Sequence, residues 1–195
     1  RSQAFYDIDQ LEWATNSLHQ TMALISLGYY PAQICFPPIE TDIVYKPFMS
    51  SEIIESLDDD QINIYRDVYS MLIRPVVKRK QPAMVGISVV QQKQLIPTFT
   101  FCKMIKEEFP AIHITLGGNI ITRIRDMLPE MDNLWELFDS AVVYEGESAY
   151  LKLTEAVENG DDLGSLPNLI YKDKKKVHVN KEVFAESLAE LPPPD

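Results

Sequence analysis

Ile112-His113-Ile114-Thr115-Leu116-Gly117-Gly118-Asn119 is the stretch that decides the fold. Its apolar run reads as a buried strand, and it ends directly in a double glycine. Ser140-Ala141-Val142-Val143-Tyr144-Glu145-Gly146-Glu147 repeats the event downstream, and Met84-Val85-Gly86-Ile87-Ser88-Val89-Val90 anticipates it upstream. Apolar strands that end in small or polar residues, each followed by a helical pattern, predict a parallel sheet with crossover helices. Such sheets bind ligands beyond the carboxyl ends of their strands. Function is therefore to be sought in the loops after these three strands.

Working outward, Gln91 to Gln94 forms the loop after the first strand, and Pro97 suits the first turn of a helix running to about Phe109. Phe101, Ile105 and Phe109 recur at a spacing of four and are expected to pack on the sheet. Glu145-Gly146-Glu147 leads into a helix from Ser148 to Glu158. Leu169-Ile170-Tyr171 and Val177-His178-Val179 read as a hairpin around a lysine turn, an edge flap rather than a catalytic element.

Residues 1–81 carry helical patterns instead. Asp7 or Asp9 can cap a helix with Leu11, Ala14, Leu18, Met22 and Ile25 at helical spacing, and Gly28 is placed to end it. Pro31, Pro37, Pro38 and Pro47 exclude a helix or a central strand between Tyr29 and Pro47. Ser51 starts a further helix, and another pattern runs from Ile62 to Val77, where Pro75 is expected to kink or end it.

The chain has 195 residues, 46% of them hydrophobic, enough for one full core and an appendage. Acids outnumber bases 29 to 18, for a formal charge of −11. That balance argues against nucleic acid or an anionic membrane as partner. The basic run Lys172 to Lys176 is read as a solvated turn. Cys35 and Cys102 are far apart and lack metal-ligand spacing, which fits a reduced, cytoplasmic setting. No apolar run is long enough to span a bilayer. Leu191-Pro192-Pro193-Pro194-Asp195 is a stiff, extended segment of the kind that joins domains, so a piece of a longer protein is expected.

By residue type alone, each candidate has two readings. Gly117-Gly118 serves a tight turn or a close ligand approach. Glu145 and Glu147 are a carboxylate pair for acid–base work, or glutamates stabilised at a helix N-terminus. Ser88 caps local backbone or touches a cofactor. Neither a three-glycine dinucleotide fingerprint nor a Gly-Lys-Ser/Thr phosphate loop occurs, and His19, His113 and His178 form no catalytic set.

Taken together, Val85-Gly86-Ile87-Ser88-Val89, Gln94-Leu95-Ile96-Pro97, Ile114-Thr115-Leu116-Gly117-Gly118-Asn119, Val143-Tyr144-Glu145-Gly146-Glu147 and Leu166-Pro167-Asn168-Leu169-Ile170-Tyr171 resemble the amino-terminal cobalamin-binding domain of cobalamin-dependent radical S-adenosylmethionine (SAM) enzymes. There a "VGIS" strand, an "LGG" loop and an "EGE" loop recur in this order, followed by a β-hairpin and an "LPxPD"-like linker, which Leu191 to Asp195 matches. The resemblance covers about residues 82 to 195. It implies an α/β, Rossmann- or flavodoxin-like parallel sheet, incomplete at its first strand, with an N-terminal helical segment and a C-terminal β-hairpin. The implied organisation is a helical segment (1–81) on the main domain, a cobalamin-binding-like core (82–164), and a hairpin with linker (165–195) leading to a radical SAM domain. An incomplete sheet leaves an edge that the N-terminal helices or a second copy would cover.

The radical-cluster motif Cys-x3-Cys-x2-Cys is missing, so the resemblance places the 4Fe-4S cluster and SAM in the downstream domain and leaves this chain without catalytic residues. The Asp-x-His-x-x-Gly motif is missing too, which implies cobalamin without a protein histidine on cobalt. Its nucleotide tail would be lined by Ser88, Gln91, Gln94, Gly117, Gly118, Asn119, Glu145, Gly146 and Glu147. The implied role is a cofactor-binding module for methyl transfer or a related radical reaction. The alternatives are an interaction domain that keeps the fold without cofactor, and a flavodoxin-like nucleotide-binding protein.

Overall fold

The computed structural model describes residues 7–35, 40–174 and 176–183. The proline linker Leu191 to Asp195 lies outside them. Helix α1 (Ile8–Gly28) is capped by the Asp7 carboxylate, which accepts from the Gln10 backbone N–H at 3.2 Å. It buries none of its residues, although Leu11, Leu18 and Ile25 sit at helical spacing. Strands β1 (Gln33–Cys35) and β2 (Glu40–Asp42) form a small antiparallel pair beside it. Short edge pairing of this kind tolerates the prolines that a central strand would not.

Helix α2 (Ser50–Leu57) sends Ile53 and Leu57 into the main core. The next helical stretch runs as α3 (Tyr65–Val68), a wide π turn (Tyr69–Ile73) and α4 (Arg74–Lys80). Pro75 therefore does not end the helix. The wide turn just before it resets the hydrogen-bond register, and the missing proline N–H falls in the first turn of α4.

The main sheet has the order β3 (Met84–Ser88), β4 (His113–Gly117), β5 (Ser140–Val142), β6 (Leu169–Asp173) and β7 (Lys176–Val179). β3, β4 and β5 are parallel, with Gly86 beside Thr115 and Thr115 beside Ser140. β6 joins β5 antiparallel, and β7 pairs with β6. The hairpin thus extends the sheet, with β7 at its edge. Leu169 and Ile170 explain why: adjacent residues point to opposite faces, both are buried, and only an interior strand is covered on both sides. β3 ends the order, with no strand on its outer side among the described residues.

Helix α5 (Leu95–Glu108) covers one face of the sheet, packing Ile96, Phe99, Cys102 and Ile105 with Ile114, Leu116 and Ala141. Phe101 faces elsewhere, making ring contacts with Tyr65 and Tyr69 at 6.4 and 6.3 Å. Buried Asn63 joins the layers by donating to the Ser56 carbonyl and the Thr100 hydroxyl. Short helix α6 (Asn119–Arg123) follows β4. Helix α7 (Glu147–Asn159) covers the other face, chiefly over β5 and β6, where Ala149 and Leu153 meet Val142 and Leu169, with Met84 of β3 packed beside them. No helix among the described residues is long and apolar enough to cross a membrane.

Candidate functional site

Alternation along the strands gives the α7 side of the sheet an unusual set of residues. β3 presents Gly86 and Ser88 there, and β4 presents Thr115 and Gly117. Because these are small, and α7 reaches them only with the Tyr150 ring over Gly86, an opening of about 450 Å³ remains at the carboxyl ends of β3 to β5. That is within the range of roughly 300–1,000 Å³ usual for small-molecule sites. Val142, Tyr144, Gly146, Glu147 and Tyr150 complete its wall.

The glycines divide by physical role. Gly118 has φ +93°, and a Cβ there would lie 2.6 Å from the Val89 carbonyl oxygen. Around it the loops after β3 and β4 are tied together, with Ile120 N–H donating to that carbonyl and Val89 N–H to the Gly117 carbonyl. The glycine is needed for the turn itself. Gly86 is needed for close packing: a Cβ would meet the Tyr150 ring at 2.7 Å. At Gly117 and Gly146, added Cβ atoms would find no neighbour nearer than 3.6 and 3.8 Å. Those two leave open volume and satisfy no local constraint.

Thr115 is the polar group on the floor. It is 2% exposed, lines the opening, and its Oγ1 has no hydrogen-bond partner among the described residues. A buried hydroxyl without a partner costs about 1–3 kcal/mol, which a ligand atom bonded to it would offset. Tyr144 forms the far wall with φ +63°, a conformation unusual for a tyrosine. Its N–H donates to Thr122 Oγ1 at 2.9 Å and its hydroxyl to Glu182 Oε2 at 2.9 Å. Arg125 lies over the ring at 5.2 Å and also contacts Glu182. Desolvation, with the Glu182 bond, raises the Tyr144 phenol above its ordinary range.

Of the residues expected from sequence, Ser88, Gly117, Gly118, Gly146 and Glu147 come together on this one wall. Gln91, Gln94, Asn119 and Glu145 are not among the residues lining it. Gln94 Oε1 accepts from the Val90 and Gln91 N–H groups at 2.7 and 3.0 Å, and the Gln91 side chain returns the favour in a capping box. These two glutamines shape the loop from outside the opening. Asn119 starts α6 and is exposed. Glu145 turns to a smaller cleft beside Lys152 and Asn168.

Sequence reading missed Thr115, Tyr144 and Tyr150. Thr115 could have been found, being two residues before Gly117 on the same face of the strand and flanked by the apolar Ile114 and Leu116. Tyr150 lies one helical turn after Glu147 and would follow from the same reasoning on α7.

No histidine lines the opening. His113 Nε2 shares a 2.8 Å hydrogen bond with Ser140 Oγ at the other end of β4, and His178 stacks on Tyr171 at 5.0 Å. Among the described residues, no three His, Cys, Asp or Glu side chains are placed to hold a metal. Among the described residues, Lys and Arg are also missing from the lining, and Glu147 is its single formal charge. These features suit a ligand that is largely uncharged where it enters.

No family model and no curated protein matches the chain. Among solved structures it is similar to the radical S-adenosylmethionine methyltransferase TsrM from Kitasatospora setae. With tryptophan substrate and a SAM analogue bound, that enzyme aligns at 16% identity and TM-score 0.49, over 71% of this chain and 28% of the other. With cobalamin and a [4Fe-4S] cluster bound, it aligns at 18% identity and TM-score 0.46, over 73% and 27%.

Proposed function

We propose that the opening between the sheet and α7 receives the nucleotide tail of cobalamin, and that the chain is the cofactor-binding module of a larger radical SAM enzyme. The observation that carries this reading is Thr115: a buried hydroxyl without a partner, facing about 450 Å³ at the carboxyl ends of three parallel strands. The residues fit the group. Gly117 and Gly146 leave the volume, and Thr115 and Ser88 supply hydrogen-bonding atoms. Glycine-opened backbone with few fixed polar groups is the usual make-up of a cofactor pocket. When bound, the corrinoid supplies a carrier for a methyl group or a radical partner. The residues of this chain hold and orient it, while the cluster and SAM belong to a further domain.

The flavodoxin-like alternative is less well supported, because no Lys or Arg among the described residues lines the opening to meet a terminal phosphate. Titration of the chain with hydroxocobalamin, read by visible absorption, tests the proposal. A saturable spectral change is expected, with much weaker binding of cobinamide, which lacks the tail. Absence of any saturable change overturns the proposal in favour of an interaction domain, and flavin released on denaturation would favour the nucleotide-binding protein.

A further inference from the structure

A second opening lies on the α5 face of the same rim. It holds about 300 Å³ between α2, the start of α5, and α6 with the turns that follow it. Ile53, Phe99, Ile120 and Leu134 give it a buried apolar floor. Phe48 and Met127, 66% and 59% exposed, stand at its edge, and Met131 lines it further. Methionines adapt to irregular apolar guests, and exposed apolar side chains around a concavity mark binding surfaces.

Its charge is the second observation. Among the described residues, no carboxylate lines this cleft, and Arg123 is its single charged residue. Arg123 is exposed and makes no hydrogen bond or ion pair with any described residue. Of the described arginines, Arg66, Arg74 and Arg125 have carboxylate partners, whereas Arg79 and Arg123 have none, and of these two Arg123 alone lines a cleft. A guanidinium without a partner, placed beside an apolar hollow, matches a carboxylate on an apolar body.

We infer that this cleft binds a small organic acid whose body is aromatic or branched and whose carboxylate is held by Arg123. It lies across the sheet from the opening described above and does not depend on what binds there.

The test uses the chain labelled with 13C at the methionine methyls and titrated with 4-phenylbutyrate, 4-phenylbutan-1-ol and 4-phenylbutylamine. The expected result is a saturable shift of the Met127 and Met131 methyls, while Met71, exposed elsewhere, stays fixed. The acid should bind about tenfold more tightly than the alcohol, the worth of one charge-assisted bond, and the amine most weakly. Arg123→Gln, at an exposed position without partners, should leave the thermal midpoint unchanged and reduce the acid to the affinity of the alcohol. Equal affinities for acid and amine, no shift at Met127 and Met131, or equal shifts at Met71 would each overturn the inference.

Discussion

Alternate residues of the same three strands build two unlike surfaces. Toward α5 they present Val85, Ile87, Ile114, Leu116 and Ala141, packed into one continuous core. Toward α7 they present Gly86, Ser88, Thr115 and Gly117, which bury little apolar area and leave a hollow. Each buried Ile or Leu contributes about 1.5–3 kcal/mol, and glycine or threonine far less. The filled face therefore supplies the stability that permits the open one. The same division appears within a single strand, one residue apart.

Leu116 and Thr115 break that comparison most sharply. Leu116→Ala removes a fully buried side chain from the filled face and should cost roughly 2–5 kcal/mol in urea unfolding. Thr115→Val keeps the shape and removes only the unpartnered hydroxyl. Stability should hold or rise by up to about 1 kcal/mol, while hydroxocobalamin affinity falls about tenfold. A loss of stability in Thr115→Val comparable to that in Leu116→Ala would mean that both faces are structural.

Glycines on the open face give the next largest effect. Gly118→Ala forces a side chain into positive φ and against the Val89 carbonyl, and should cost roughly 2–3 kcal/mol. Gly146→Ala, with its nearest neighbour at 3.8 Å and an ordinary helical φ of −94°, should unfold like the parent and bind cofactor more weakly. Gly86→Ala falls between them. Its new methyl meets the ring of half-exposed Tyr150, which can swing aside, so about 1 kcal/mol is expected. Adding Tyr150→Ala to Gly86→Ala should recover that loss.

Much of this division is written in the sequence. Val85, Ile87, Ile114 and Leu116 fix the filled face by alternation, and the small residues between them fix the other. The double glycine marked the rim, although pattern alone could not separate Gly118, required by its own backbone, from Gly117, which is not. Pattern alone could not place Gln91 and Gln94, because a polar loop beside a rim looks the same whether its amides meet a ligand or its own N–H groups. The place of β6 in the sheet was readable from the adjacent apolar pair Leu169 and Ile170. Tyr144 was less accessible, since its position depends on Thr122, Arg125 and Glu182, residues distant in the chain. The wide turn before Pro75 has no local signature that pattern reading would catch.

The smallest effect concerns the amino end of the open face, where His113 meets Ser140. Burial holds its imidazole below the ordinary value of 6.5; the Asp139 carboxylate opposes that shift and Lys106 reinforces it. The unfolded chain therefore takes up the proton more readily than the folded one. Stability is complete above the unfolded value and declines as pH falls below about 6.5. Comparing urea midpoints at about pH 7.5 and about pH 5.5, His113→Gln should show a shallower decline than the parent. Cofactor affinity should not follow this titration, because His113 and Gly117 lie at opposite ends of β4. A corrinoid affinity that tracked the His113 proton would join the two ends of the strand into one site and erase the boundary between the sealed end and the open one.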